Sequence, residues 1–345
     1  MSGKPKLVIG ANGFLGSHVT RLLVRDGHQV RVMVRSGANT RSIDDLDVTR
    51  FHGDVFDTAT VRAAMDGVDD VYYCVVDTRA WLQDPAPLFR TNVEGLRNVL
   101  DVAKDVAKDG GLHRFVFTST YATVDRRRGH VATEEDRIPP QRRVSPYVRS
   151  RVQAEDLVLR YVAEHGLPAV AMCVSTTYGA GDWGRTPHGA FIAGAVFGKL
   201  PFLMQGIQLE VVGVDDAARA MILAAERGRN GEKYLISERM IPLTEVVRIA
   251  ADEAGMPPPK WAIPVPALYA LGGLGSLRAK LTGKDAELSL ESVRMMRAEA
   301  PVDHGRAVRE LGWQPRPVEE SIREAARFWA AMRKTSKGSQ TAQTE

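Results

Sequence analysis

Short runs of β-branched and other apolar residues alternate with longer stretches of helical periodicity through the first half of the chain. KLVIG (6–10), QVRVMVR (29–35), DDVYYCVV (69–76), RFVFTST (114–120) and PAVAMCVS (168–175) read as strands, apolar enough to be buried on both faces. Between them the spacing predicts helices from about Phe14, near 58–66, over 86–108 and from Ser145. Strands alternating with helices specify an α/β fold: a doubly wound parallel sheet, covered on both faces, with its ligand at the carboxyl ends of the strands.

Beyond Tyr178 the pattern is less regular and richer in Gly and Pro, which predicts a smaller C-terminal α/β lobe over the strand ends. Within it, QLEVVGVDDAARAMILAAERG (208–228) reads as a strand and helix returning to the main sheet. The expected organisation is a dinucleotide-binding domain of 1–177 and about 209–237, a substrate lobe of 178–208 and 238–334, and a polar tail, 335–345, predicted to be disordered.

Three places in this pattern carry chemistry. Gly10, Gly13 and Gly16 in VIGANGFLGSHV follow a strand and open a helix, where glycine allows a sharp turn and the helix N-terminus holds a pyrophosphate. At the end of the second strand, Arg35 stands where a carboxylate would select NAD, and no acid follows until Asp44. A planar guanidinium suits a 2′-phosphate, so NADP is the expected cofactor, with NAD as the alternative. In SPYVRSRVQAE (145–155), Ser145 can cap a helix and Pro146 suits its first position. Tyr147, Arg151, Ala154, Val158 and Val162 then share one face, an arginine among apolar residues.

Composition narrows the classes further. The 46 basic and 42 acidic residues nearly balance, which argues against a nucleic-acid binder. The two cysteines, Cys74 and Cys173, lie in apolar runs, and the histidines lack zinc spacing, so no metal and a reducing, cytoplasmic setting are expected. The uncharged stretch from Trp261 to Leu277 is too short and too interrupted by Gly and Pro to span a bilayer. It reads as a loop and short helix lining a pocket or partner surface, with peripheral membrane contact as an alternative.

With the glycine loop, GDV (53–55), RTNVEGLRNVL (90–100), RFVFTST, SPYVRSRVQAE, GVDDAARAMILA (213–224) and LGWQPRPVEESIREA (311–325) in order, the chain resembles the extended short-chain dehydrogenases/reductases, the NAD-dependent epimerase/dehydratase family. It is most similar to dihydroflavonol-reductase-like, 3β-hydroxysteroid-dehydrogenase-like and hopanoid-associated sugar epimerase members. The resemblance implies a Rossmann-like fold, a homodimer, a catalytic Tyr147, and active-site hydroxyls at Thr120 and Ser119. It places the cofactor against Gly10, Asn12, Gly13, Phe14, Leu15, Gly16, Asp54, Val55, Val75, Val76, Asn92, Ser175 and Thr176. Three positions depart from the family pattern: Arg151 stands for its lysine, Ile9 for a threonine, and Cys173-Val174 for an Arg-Pro pair. Arginine keeps the charge and can hold ribose hydroxyls, yet it cannot release a proton near neutral pH.

The arginines between 126 and 151 read as a solvated loop balanced by Glu134, Glu135 and Asp136, or as a rim favouring an anionic substrate. Trp183, Phe191, Phe197, Phe202, Trp261 and Tyr269 are candidates for an apolar substrate pocket, although core packing would account for each taken singly. The resulting expectation is an NADP-dependent oxidoreductase that reduces a carbonyl, or oxidises the matching alcohol, of a bulky apolar small molecule. An NAD-dependent nucleotide-sugar epimerase/dehydratase and a non-catalytic NADP-binding sensor are the alternatives.

Overall fold

The structure, a computed structural model, describes residues 3–108, 110–296 and 300–341. Strands β1 (Lys6–Ile9), β2 (Val30–Val34), β3 (Thr49–His52), β4 (Asp70–Tyr73), β5 (Arg114–Thr120) and β6 (Ala169–Val174) build most of the main sheet. Outside it or at its far edge lie β7 (Thr176–Tyr178), β8 (Leu203–Gln205), β9 (Gln208–Gly213), β10 (Lys233–Ile236), β11 (Arg239–Pro242) and β12 (Ala262–Pro264). The seven-stranded order is β10-β6-β5-β4-β1-β2-β3, and every pairing in it is parallel. Strand order reverses between β1 and β4, and the crevice at their carboxyl ends is where such sheets bind ligands.

The main sheet is covered by α1 (Phe14–Arg25), α2 (Thr58–Met65), α3 (Ala86–Phe89), α4 (Leu96–Lys108), α5 (Pro146–His165) and, after a detour, α7 (Val214–Arg227). Two apolar layers result. Val8, Val32, Tyr72 and Val116 face α1 and α7, whereas Leu7, Val71, Phe115 and Phe117 face α2, α4 and α5. The second lobe contains α6 (Gly189–Val196), α8 (Leu243–Glu253), α9 (Val265–Thr282), α10 (Leu290–Met295) and α11 (Val318–Thr341), with small sheets β11-β9-β7 and β12-β8.

Four expectations change. The helix over 86–108 is interrupted by a π-helical turn at Arg90–Gly95, which turns the buried Asn92 amide toward the loop after β4 and lays Gly95 on Val55. The strand at 208–213 does not return to the main sheet; it pairs with β7 and β11, and β10 is the strand that returns. The segment from Trp261 is a two-strand pairing followed by an 18-residue helix rather than a loop and short helix. The expected tail begins inside α11, whose backbone hydrogen bonding continues to Thr341, and 342–345 lie outside the described residues.

Candidate active site

The glycine loop has the shape a pyrophosphate needs. Gly10 has φ +83°, and a Cβ there would approach Val75 Cγ2 to 2.9 Å. A Cβ on Gly16 would come within 2.3 Å of the Gly10 carbonyl oxygen, so α1 can pack this close only through glycine. Gly13 caps α1 without a side-chain bond, leaving first-turn N–H groups of Phe14 and Leu15 to an anion. Asn12 donates to the Asn39 carbonyl (3.2 Å) and accepts on its own carbonyl from Ser42, tying the loop to the turn after β2.

Arg35 is exposed at the end of β2 and, among the described residues, makes no side-chain hydrogen bond or ion pair, though its charge reaches Asp77 and helps to lower that carboxyl. Asp44, the nearest following acid, is engaged by Thr40 (2.8 Å) and Arg50 (3.1 Å). Asp54 accepts from Phe56 N, Val55 is buried, and Val75 and Val76 are half-buried past the end of β4. Asn92 departs from the expected cofactor contact. Its oxygen accepts from Asp77 N (2.8 Å) and its amide donates to Asp77 O and Ser150 Oγ, so both of its donors are committed. It pins the loop after β4 to the tyrosine helix.

Helix α5 begins as its sequence specifies, with Ser145 Oγ accepting from Val148 N (3.2 Å) and Pro146 at the first position. One turn apart, Tyr147 and Arg151 face the end of β5, where the Thr120 hydroxyl lies within hydrogen-bonding reach of the Tyr147 phenol. Burial pushes that phenol above its ordinary value, with Arg151 and Thr120 opposing the rise. Arg151 is 1% exposed, donates through Nη2 to Thr118 O, and lies 5.1 Å from the Phe117 ring. Among the described residues, its Nε and Nη1 are buried without partners, as is Ser175 Oγ between β6 and β7, while Thr176 is buried beside it. Orphaned donors of this kind call for a ligand. With the glycine loop they fit a dinucleotide, whose ribose hydroxyls Arg151 would hold.

Ser119 faces the other way. Successive side chains of a strand alternate, and its hydroxyl donates to Glu155 Oε2 (2.5 Å), away from Tyr147. Thr123 also donates to Glu155 (2.8 Å), Cys173 Sγ lies 3.3 Å from it, and Lys233 of β10 completes an ion pair at 3.1 Å. Cys173 thus lies beside this pair. In β10 and β6, Lys233 is level with Ala171 and Leu235 with Cys173, so Lys233 and Cys173 project on the same sheet face. Neither Glu155 nor Lys233 stood out in the sequence; a second charge four residues after Arg151 on an inward face was the available signal.

The rim of the site differs in part from expectation. Arg127 and Arg142 pair with Asp125, and Arg127 reaches Asp136, but Glu134 and Glu135 pair with Arg306 from the far end of the chain. Arg126 lies 4.6 Å over the Tyr121 ring, and its Nε and Nη1 are buried without partners. Tyr121 is close enough to Tyr147 and Tyr178 to raise both electrostatically, and the Tyr178 hydroxyl is also unpartnered. His188 is unpartnered at Nδ1, and burial lowers it to about 4, so it is neutral.

Of the aromatic candidates, Trp183 packs edge-on against Phe328 (5.0 Å) and Phe197 against Trp329 (6.1 Å). Phe191, Phe202 and Tyr269 lie partly buried along the second lobe's core. Trp261 is 76% exposed just before β12. At the opposite end of the main sheet, Asp69, Asp70 and His113 approach one another, but the Lys6 ammonium already bridges both carboxylates.

The model of the NAD dependent epimerase/dehydratase family matches residues 6–237. Sterol demethylase protein B of Methylococcus capsulatus is 26% identical, the match covering 94% of this chain and 97% of that protein. The 4-hydroxy-2-methyl-3-oxo-4-farnesyl-3,4-dihydroquinoline-1-oxide ketoreductase of Stigmatella aurantiaca is 27% identical over 93% of this chain and 95% of its own. The crystal structure of gox2253 superposes with a TM-score of 0.82 at 30% identity, covering 96% of this chain and 99% of that one.

Proposed function

Since the chain belongs to the NAD dependent epimerase/dehydratase family and is an NAD(P)-dependent oxidoreductase, we propose that it reduces a ketone of a bulky, largely apolar molecule with NADPH. The observation that carries this reading is the pairing of a phenol held above its ordinary pKa with an arginine that cannot relay a proton. Such a tyrosine starts protonated and suits a general acid. The bound cofactor would supply hydride to the carbonyl carbon. Tyr147 gives its proton to the carbonyl oxygen, Thr120 steadies the phenol by its hydrogen bond, and Arg151 binds the ribose hydroxyls while its charge stabilises the phenolate left behind. Once product has left, the phenolate regains its proton from solvent. Arg126, with two free donors beside Tyr121, would meet a polar oxygen of the substrate. A ketoreductase relative with a farnesylated substrate in its name supports both the direction and the apolar class.

The pH profile tests the direction. The reduction rate is expected to be level through neutral pH and to fall only where the phenol ionises, whereas alcohol oxidation, which needs the phenolate, should climb through the alkaline range. Oxidation that is already maximal at neutral pH would sink the assignment of Tyr147 as an acid.

Cofactor choice has its own test. Arg35→Asp replaces a free guanidinium with a carboxylate and is expected to weaken NADPH binding by about 10- to 100-fold while sparing NADH, as measured calorimetrically on stripped protein. An unchanged preference would remove Arg35 from the argument. NAD that stays bound through purification would favour the epimerase alternative, in which the free donors of Arg126 would meet a nucleotide diphosphate. The same reading includes a homodimer formed by α4 and α5, checked by light scattering.

A further inference from the structure

Helix α9 is built inside out. Its inner seam carries small residues: a Cβ on Gly272 would lie 3.0 Å from Ser289 O, one on Gly275 only 2.0 Å from Leu288 O, and Ala279 is buried. The small seam lets the backbone lie close on the segment leading into α10. The large side chains are therefore left on the outer face, where Leu274 is 64% exposed, Leu277 54% and Leu281 78%. Leu271 and Trp261 extend the same apolar stretch. Among the described residues, these five are the majority of the large apolar side chains that stand exposed; Phe56, Val131 and Val308 are scattered singly. A helix apolar all round is ordinarily buried all round, so this one is missing a covering medium.

The flanking charges indicate which medium. Arg278, Lys280 and Lys284 sit in or just past the last turns of α9, and Lys260 precedes Trp261; all four are exposed. Two exposed acids lie nearby, Asp285, which accepts from Gln83 N (2.9 Å), and Glu287, so the four basic residues leave the flank with a net positive charge. A second copy of the chain laid on this face would bring a basic rim against a basic rim. An anionic lipid surface instead takes the leucines into its acyl boundary, the tryptophan at the headgroup level and the basic residues among the phosphates. No helix among the described residues is long and apolar enough to cross a bilayer, so the contact lies in the plane of the interface.

We infer that α9, with Trp261, is a peripheral docking face for an anionic membrane surface. The helix adjoins the loop that leaves the cofactor crevice: Gln83, in the loop after β4, donates to Ala279 O (3.1 Å). An apolar substrate dissolved in the bilayer would thus meet the enzyme next to its cofactor crevice, and this last consequence rests on the proposed reductase reading. The docking itself does not, because its assay needs no substrate.

The test is co-sedimentation of the full chain with vesicles of phosphatidylglycerol and phosphatidylcholine, and with vesicles of phosphatidylcholine alone. Binding is expected on the anionic vesicles, with a blue shift of tryptophan fluorescence that Trp261→Phe abolishes. L274E/L277E should weaken binding by about tenfold or more without lowering the melting temperature, since both side chains already face outward. Arg278→Glu with Lys280→Glu should weaken it on anionic vesicles alone. Absence of wild-type binding, or binding indifferent to the leucine changes, would overturn the inference. So would a wild-type dimer that L274E/L277E converts to monomer, because a second copy would then be the covering partner.

Discussion

Tyr147→Phe is expected to lower kcat by about 10²- to 10⁴-fold while leaving cofactor affinity within a few-fold of wild type. The two readouts separate because the groups that hold the cofactor are other residues. The glycine loop supplies the N–H groups for the pyrophosphate, and Arg151 keeps its unpartnered Nε and Nη1 whether or not the phenol is present. What phenylalanine removes is one proton and one hydrogen bond with Thr120. The ring volume stays, so packing at the start of α5 is preserved. Because the proton donor is gone, the residual rate should also lose its alkaline decline. A variant that keeps its full rate and its pH profile would mean that Tyr147 is a packing residue, and a variant that loses cofactor binding along with rate would mean that the phenol holds the dinucleotide. Steady-state kinetics over a pH series, with calorimetric titration of NADPH, distinguish the three.

The second large effect is on stability. Lys233→Met leaves the Glu155 carboxylate, 6% exposed, without its only ion-pair partner among the described residues, and removing one partner of a buried pair destabilises by roughly 3–5 kcal/mol. Burial alone would lower the pKa of Lys233, but the charge and hydrogen bond of Glu155, with Cys173, together outweigh it and raise the lysine above its ordinary value. A raised lysine contributes stability that is fully present below its unfolded pKa and lost as pH climbs through its folded pKa. The gap between wild type and variant in urea unfolding should therefore be constant through neutral pH and narrow only in the alkaline range. Adding Glu155→Gln to the variant is expected to recover part of the loss, since an amide keeps hydrogen bonds to Ser119 and Thr123 without a buried charge. A double variant no better than the single one would show that Lys233 acts by packing rather than by charge.

These two experiments touch residues of very different legibility. Tyr147 and Arg151 could be placed on one inward face from a 3.6-residue period and a capping serine, because a helix start is written in four or five adjacent residues. The strands of the main sheet were legible for the same reason, except β3, whose TRFH is polar and half-exposed at the sheet edge, and β10, whose four residues KYLI are too short a run to carry a pattern. Strand 208–213 shows the limit: periodicity identified a strand, but partner choice depends on chain segments far away, and β9 pairs with β7 and β11 instead. Lys233 meets Glu155 for equally distant reasons, through the registry of β10 on β6. The turned-away hydroxyl of Ser119 was implicit in the alternation of β5, since Thr120 on the opposite face meets the tyrosine. Trp261 and Phe197 illustrate why aromatics named from sequence are weak pocket markers: one lies in solvent and the other on Trp329.

The late return of β10 also governs how the chain can be made. On the ribosome, residues 1–177 emerge first with six of the seven parallel strands, yet β6 stands as a bare edge until residues 233–236 leave the exit tunnel. Through that interval Glu155 has no lysine, and the intervening second-lobe segment is already being synthesised. The two lobes are thus interleaved in time as well as in space, and an amino-terminal fragment cut at 177 would be released with an open, apolar sheet edge that invites aggregation.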